Sequence, residues 1–124
     1  MGDVRDVYVP LAQSLNEAGF RVVTADLRGH GDSSATFTAY GDEVTAADLI
    51  ALIEVLDAGP AILVGASMSG AAAVIAGGRR PDLVCGLVLV CPFLRGPQSR
   101  VRTLVQRAML GAALMRPWGP AVWN

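Results

Sequence analysis

The sequence predicts an α/β fold with parallel strands, and three observations carry that prediction. Short β-branched runs at 21–27 (RVVTADL), 61–65 (AILVG) and 83–90 (LVCGLVLV) lie among glycine and proline turn signals, as strands buried in a parallel sheet do. Segments with apolar residues at helical spacing separate them. The resulting order of helix, strand, helix, strand, helix, strand is that of an open sheet with helical crossovers. At 124 residues the chain has room for one domain with a buried core.

The elements follow in order. Val4, Val7, Tyr8, Leu11 and Leu15 recur at helical spacing with Gly19 as the stop, and Pro10, which has no N–H to donate, splits or restarts this first helix. The run at 21–27 leads into the glycine-rich loop RGHGDSS (28–34). A second helix is expected over 43–57, with Asp42 as its cap and AGP (58–60) ending it. Its residues Val44, Ala47, Ile50, Leu52, Ile53 and Leu56 fall mostly on one face. The strand at 61–65 is followed by MSGAAAVIAGG (68–78), a helix of small residues that RRP (79–81) terminates, and the third strand is expected at 83–90. After Phe93 the alternation stops, and residues 99–115 read as one amphipathic helix.

Composition excludes several classes of function. With 52% hydrophobic and 17% charged residues the chain is globular rather than disordered. A net charge of −1 gives no electrostatic footprint for nucleic acid, so no such partner is expected. Residues 1–57 hold ten acids and three arginines, residues 58–124 one acid and seven arginines, and lysine is absent. The arginines at 95–116 read as the solvated face of a helix, and membrane contact is not expected. One histidine and two separated cysteines make no ligand cluster, so no metal is expected. Cys85 and Cys91 would lie roughly 20 Å apart in an extended strand, too far for a disulfide. They are expected to be buried thiols in a reducing, cytoplasmic setting. MGDVRDVYVP at the N-terminus carries acids where an export signal has an apolar core.

The functional question lies in LVGASMSGAAAV (63–74). Residues 58–78 are uncharged, but five glycines and two serines interrupt them, and a strand followed by a small-residue turn fits better than a membrane span. Gly65 and Gly70 have P-loop spacing, yet Ala71 and Ala72 stand where the lysine and hydroxyl must be. A dinucleotide loop would need glycines where Ser69 and Ala71 stand. What is left is a strand, Gly-x-Ser-x-small-Gly, and a helix. That arrangement holds a serine on a strained turn, its hydroxyl projecting clear of the sheet. Strand and helix then cross so closely that the positions two before and two after must be small, as Gly65 and Ser69 are. The N–H of Met68, first in the helix, would point at a developing oxyanion. The alternative is a tight crossing that merely tolerates a serine.

The surroundings favour the first reading. DLRGHGDSS (26–34), then loop and helix, then AILVGASMSGAAA (61–73) and RPDLVCGLVLVCPF (80–93) resemble in order and spacing the α/β-hydrolase superfamily, most of all its esterase, lipase and haloperoxidase-like members. The resemblance spans residues 1–95. It implies a three-layer αβα fold with parallel strands and an incomplete sheet: a partial α/β-hydrolase core over 1–95 and the start of a cap or lid over 96–124. It also implies Ser67 as the nucleophile, Met68 as the second oxyanion-hole donor, and Gly65, Ser69 and Gly70 as structural residues of the nucleophile elbow. Glycine is the usual family residue where Ser69 stands. The implied chemistry is acyl transfer to Ser67 and hydrolysis of the acyl-enzyme, on a small-molecule carboxylic ester or related acyl substrate, with no cofactor.

The sequence departs from the family pattern in two places. The family's acid and histidine come after the sixth strand, whereas here no acid follows Asp82 and no histidine follows His30, which sits where the family has a structural residue. The strand carrying the first oxyanion donor would precede Met1. The chain is therefore expected to be a middle slice of the fold, inactive by itself, because a serine without its base stays protonated. A non-catalytic remnant or binding module keeping the α/β core is the alternative. The family's strand order places a further strand between 21–26 and 61–65, so 61–65 is expected to pair in parallel with 84–90 while 21–26 lacks a neighbour.

Overall fold

A computed structural model of the chain describes residues 4–94. The expected helix at 99–115 and the expected cap segment 96–124 lie outside the described residues. A turn of 3-10 helix, Arg5–Tyr8, runs into α1, Val9–Glu17. Pro10 falls in the first turn of α1, where its missing N–H leaves no intrahelical bond unmade. Gly19, at φ 89, donates its N–H to Asn16 O and closes the helix.

The second helix, α2, is Asp42–Leu56. Its N-cap is Gly41 at φ 118, not Asp42. Asp42 and Glu43 instead occupy the first turn, facing the positive end of the helix dipole. The helix ends where Asp57 turns left-handed, φ 43 and ψ 43. Thr45, Ala46 and Ile53 are buried, with Leu49 and Ile50 packed beside them, while Ala47 is exposed. The sequence stripe placed Ala47 on the inner face. Packing selects Ala46, because the neighbouring helix presents alanines on that side.

That neighbour is α3, Met68–Arg79, the crossover between β1, Ala61–Ala66, and β2, Val84–Val90. The strands pair in parallel, as expected, with Leu63 opposite Leu87 and Gly65 opposite Leu89. Ala46, Ala72 and Ala76 are fully buried and form the centre of the core, with Leu63 and Ile75 packed on them. Alanine side chains let α2 and α3 approach closely, so the contact is made with little side-chain bulk. Arg80, at the C-cap of α3, pairs with Glu54 of α2 and with Asp82 at 2.7 Å, which raises its already high pKa, the Asp82 bond foremost.

Two further expectations are corrected. Residues 21–27 form no strand, and no backbone–backbone hydrogen bond joins Arg21–Asp26 to the described residues. A strand is a paired state, so β-branched composition does not create one where no ladder is available. Cys85 and Cys91 are free but exposed, not buried. Cys85 falls at a register irregularity, since Ala61 pairs with Val84 and Ile62 with Gly86. Cys91 lies one residue beyond β2 at φ 44. The face of β2 that packs on α3 is made instead by Val84 and Leu87, which meet Gly77. Among the described residues no helix is long and apolar enough to cross a membrane, and no group of three or more His, Cys, Asp or Glu is placed to hold a metal ion.

Ion pairs hold the loop after residue 26. Arg28 makes two bonds to the Asp48 carboxylate, 2.7 and 2.5 Å, donates to Ala39 O at 2.8 Å, and lies 4.4 Å over the Phe37 ring. The Asp26 carboxylate, 2% exposed, accepts the Arg5 N–H at 2.7 Å, the Arg5 guanidinium at 2.7 Å and the Asp32 N–H at 3.2 Å. A Cβ on Gly31, φ 52, would lie 2.3 Å from that carboxylate, so the loop closes on Asp26 only with glycine there.

The Arg5 N–H, foremost among these partners, holds Asp26 below the ordinary carboxylate pKa of about 3.9. A lowered folded pKa means the contribution is fully present above the unfolded value and is lost as pH falls through the folded one. We expect the Arg5 and Asp32 amides to be protected from hydrogen exchange at neutral pH and to lose protection in acid below about pH 4. In Asp26→Asn that acid step should be absent; protection unaltered by both acid and the variant would show that the carboxylate does not anchor the loop.

Candidate active site

Ser67 is the only residue between β1 and α3. Its backbone, φ 54 and ψ −113, lies outside the regions open to an L-residue without strain, at a cost of about 1–3 kcal/mol. The residue is exposed. Its hydroxyl caps no N–H of α3, so it is not committed to the helix terminus. Met68, exposed, is the first residue of α3, and its N–H is among those without an intrahelical partner.

The neighbouring backbone is fastened on both sides. Ser67 donates its N–H to Val90 O at 3.1 Å and accepts the Phe93 N–H on its own carbonyl at 2.8 Å. The Ser69 hydroxyl donates to Ala66 O and accepts the Ala66 N–H, both at 2.8 Å. Of the four polar groups in the two peptides flanking Ser67, three are engaged in this way. The fourth is the Met68 N–H.

Close approach makes the turn possible. Gly65 is buried, and a Cβ there would lie 2.7 Å from Ser69 O and 2.8 Å from both N and Cα of Gly70. A Cβ on Gly70 would lie 2.9 Å from Pro92 Cβ. Gly65, Ser67, Met68, Ser69 and Gly70 are thus brought together at one strand-to-helix crossing. His30 is elsewhere in this pattern of contacts: its Nδ1 is 3.2 Å from Arg28 O, and no hydrogen bond links it to Ser67 among the described residues. A small cleft of about 80 Å³ is lined by Val4, Arg5, Asp6, Asp26, Gly31 and Asp32, none from the Ser67 turn. Sequence reasoning missed the part played by Val90–Phe93 in holding Ser67, since nothing in CPF announces which backbone it will meet. It also read Ser69 as merely small, where the structure uses the hydroxyl.

The family model for the alpha/beta hydrolase fold matches residues 1–117. The chain belongs to the α/β-hydrolase family. It is 38% identical over 84 residues to 2-(acetamidomethylene)succinate hydrolase of Mesorhizobium japonicum, a match covering 68% of this chain and 30% of that protein. It is 38% identical over 93 residues to lipase LipV of Mycobacterium tuberculosis, covering 73% of this chain and 34% of that one. Among solved structures, a thermophilic esterase from Thermogutta terrifontis superposes with a TM-score of 0.72 at 28% identity, over 93% of this chain and 42% of that one. The chain therefore spans about a third of the length of the curated relatives it matches.

The crossing makes a direct prediction for this α/β-hydrolase chain. Gly65→Ala forces a Cβ against backbone and should destabilise by about 1–3 kcal/mol. Gly78→Ala, in the same helix with nothing within 4 Å of the added Cβ, should instead stabilise by about 0.5–1 kcal/mol. Urea unfolding of the two variants separates these effects. Equal stability of Gly65→Ala and the parent would refute the tight crossing.

Proposed function

We propose that this chain carries the nucleophile of a serine hydrolase, with Ser67 attacking a small-molecule carboxylic ester or related acyl substrate. The observation that carries the reading is the strained, exposed serine between β1 and α3, beside the N–H of Met68, which makes no hydrogen bond among the described residues. Ser67 Oγ bonds to the acyl carbon as its proton passes to a base, and the carbonyl oxygen becomes an oxyanion that accepts the Met68 N–H. The bond to the leaving alcohol then breaks with return of the proton, and water repeats the sequence on the acyl-serine. These steps balance without a cofactor. Gly65 and Gly70 serve by keeping the crossing close. The relatives named as a hydrolase, a lipase and an esterase support acyl hydrolysis as the reaction class. Free, exposed Cys85 and Cys91 suit a reducing compartment, and the cytoplasm is the proposed location.

A second reading, a non-catalytic module retaining the α/β core, is favoured by one observation. His30, the chain's single histidine, has its Nδ1 at the Arg28 carbonyl rather than at Ser67. The two readings part in one experiment. The 124-residue chain alone should hydrolyse p-nitrophenyl acetate no faster than Ser67→Ala, for want of a base. With imidazole added as an external base, intact-mass and peptide analysis should find acetyl on Ser67 and none at that peptide in Ser67→Ala. Acetylation spread over other hydroxyls, with Ser67 unmodified, would favour the non-catalytic module. A Ser67-dependent burst without imidazole would overturn the inactivity of the isolated chain and assign the base to His30 or a second copy.

A further inference from the structure

We propose that Ser69 is a positioning residue, whose hydroxyl locks the peptide before Ser67 and so aims both the Ser67 side chain and the Met68 N–H. The proposal rests on the reading of Ser67 as a nucleophile, since aim matters only for a group that reacts.

The argument starts from the strain. A residue at φ 54 and ψ −113 keeps that conformation only when its surroundings over-determine it. The two peptide planes flanking Ser67 are the things to be fixed. The plane after it is held at its carbonyl by the Phe93 N–H, 2.8 Å. The plane before it, Ala66 to Ser67, is held at its N–H end by Val90 O, 3.1 Å. At its carbonyl end it is held by the Ser69 hydroxyl, 2.8 Å, which also takes the Ala66 N–H at 2.8 Å. Ser69 belongs to the first turn of α3 and Ala66 is the last residue of β1. One hydroxyl therefore ties the end of the strand to the start of the helix across the strained residue. It is half-buried, which shields both bonds from competing water. Backbone from β2 and the residues after it does not replace it, because Val90 and Phe93 act on the other groups of the same turn. A glycine or alanine at this position would leave the Ala66 carbonyl end of that plane without this partner, and the plane could rotate about the remaining bond to Val90.

The test reads the aim of residue 67 without requiring turnover. In a Ser67→Cys chain a thiol stands where the hydroxyl stands, at the N-terminus of α3. A thiolate there is favoured by the helix terminus, so its alkylation by iodoacetamide, followed against pH at the 67 peptide and apart from Cys85 and Cys91, should follow an apparent pKa below the about 8.5 of free cysteine. Adding Ser69→Gly, or separately Ser69→Ala, should raise that pKa by about half a unit and slow alkylation at neutral pH about threefold. Ser69→Thr, which keeps the hydroxyl, should restore both. In the chain with Ser67 intact, Ser69→Gly should also expose the Ala66 amide to hydrogen exchange while the Ser67 amide, bonded to Val90, stays protected. Glycine needs no added space, so this variant serves if alanine fails to fold. A pH profile at residue 67 identical with and without the Ser69 hydroxyl overturns the proposal, as does an Ala66 amide whose exchange ignores the variant. Failure of Ser67 to become acetylated, with the thiol profile shifting as stated, would sink the hydrolase reading and leave the positioning geometry standing.

Discussion

The close crossing of β1 and α3 is the constraint on which the rest of the structure depends. Helix and strand meet with one residue between them, so the chain must reverse its curvature at Ser67. No L-residue does this in a relaxed conformation. The crossing is possible because Gly65 and Gly70 bring backbone to within a distance that no side chain could share. The same approach places the first N–H groups of α3 at the C-terminal end of the sheet, where ligands bind in open α/β sheets.

Strain at the turn is offset by fastenings drawn from three parts of the chain. Ser69 contributes a side chain from the helix, and Val90 and Phe93 contribute backbone from β2 and beyond. Each bond is ordinary in length, and each contributes about 0.5–1.5 kcal/mol net. Their weight lies in acting on adjacent groups of two peptide planes. The group without a hydrogen bond among the described residues, the Met68 N–H, is the one the proposed chemistry needs.

Away from the turn the structure relies on small residues and on arginine. Ala46, Ala72 and Ala76 make a core with little bulk, and Arg28 and Arg80 tie the loop after residue 26 and the end of α3 to α2. Most partners in these pairs are exposed, and such pairs add little individually. Arg28, with its planar fork on Asp48 and its face over Phe37, has geometry lysine could not reproduce. Its ordering role fits a loop that lacks a strand to anchor it.

Periodicity and turn chemistry alone determined α2, α3, β1 and β2, because each depends on local pattern: β-branched runs, glycine stops and spaced aliphatics. They also determined that Ser67 stands between a strand and a helix, because only a small-residue pattern permits that crossing. Tertiary structure decided the rest. Residues 21–27 carry strand composition, yet a ladder requires a second edge, and no local signal encodes its presence. Ala46 rather than Ala47 faces inward because α3 lies on that side. Cys85 and Cys91 are exposed because burial belongs to the face that finds a partner, and hydrophobic character does not choose the face. The second use of Ser69, as a bridge and not just a small residue, depends on where the Ala66 carbonyl comes to rest, and that is a matter of three dimensions.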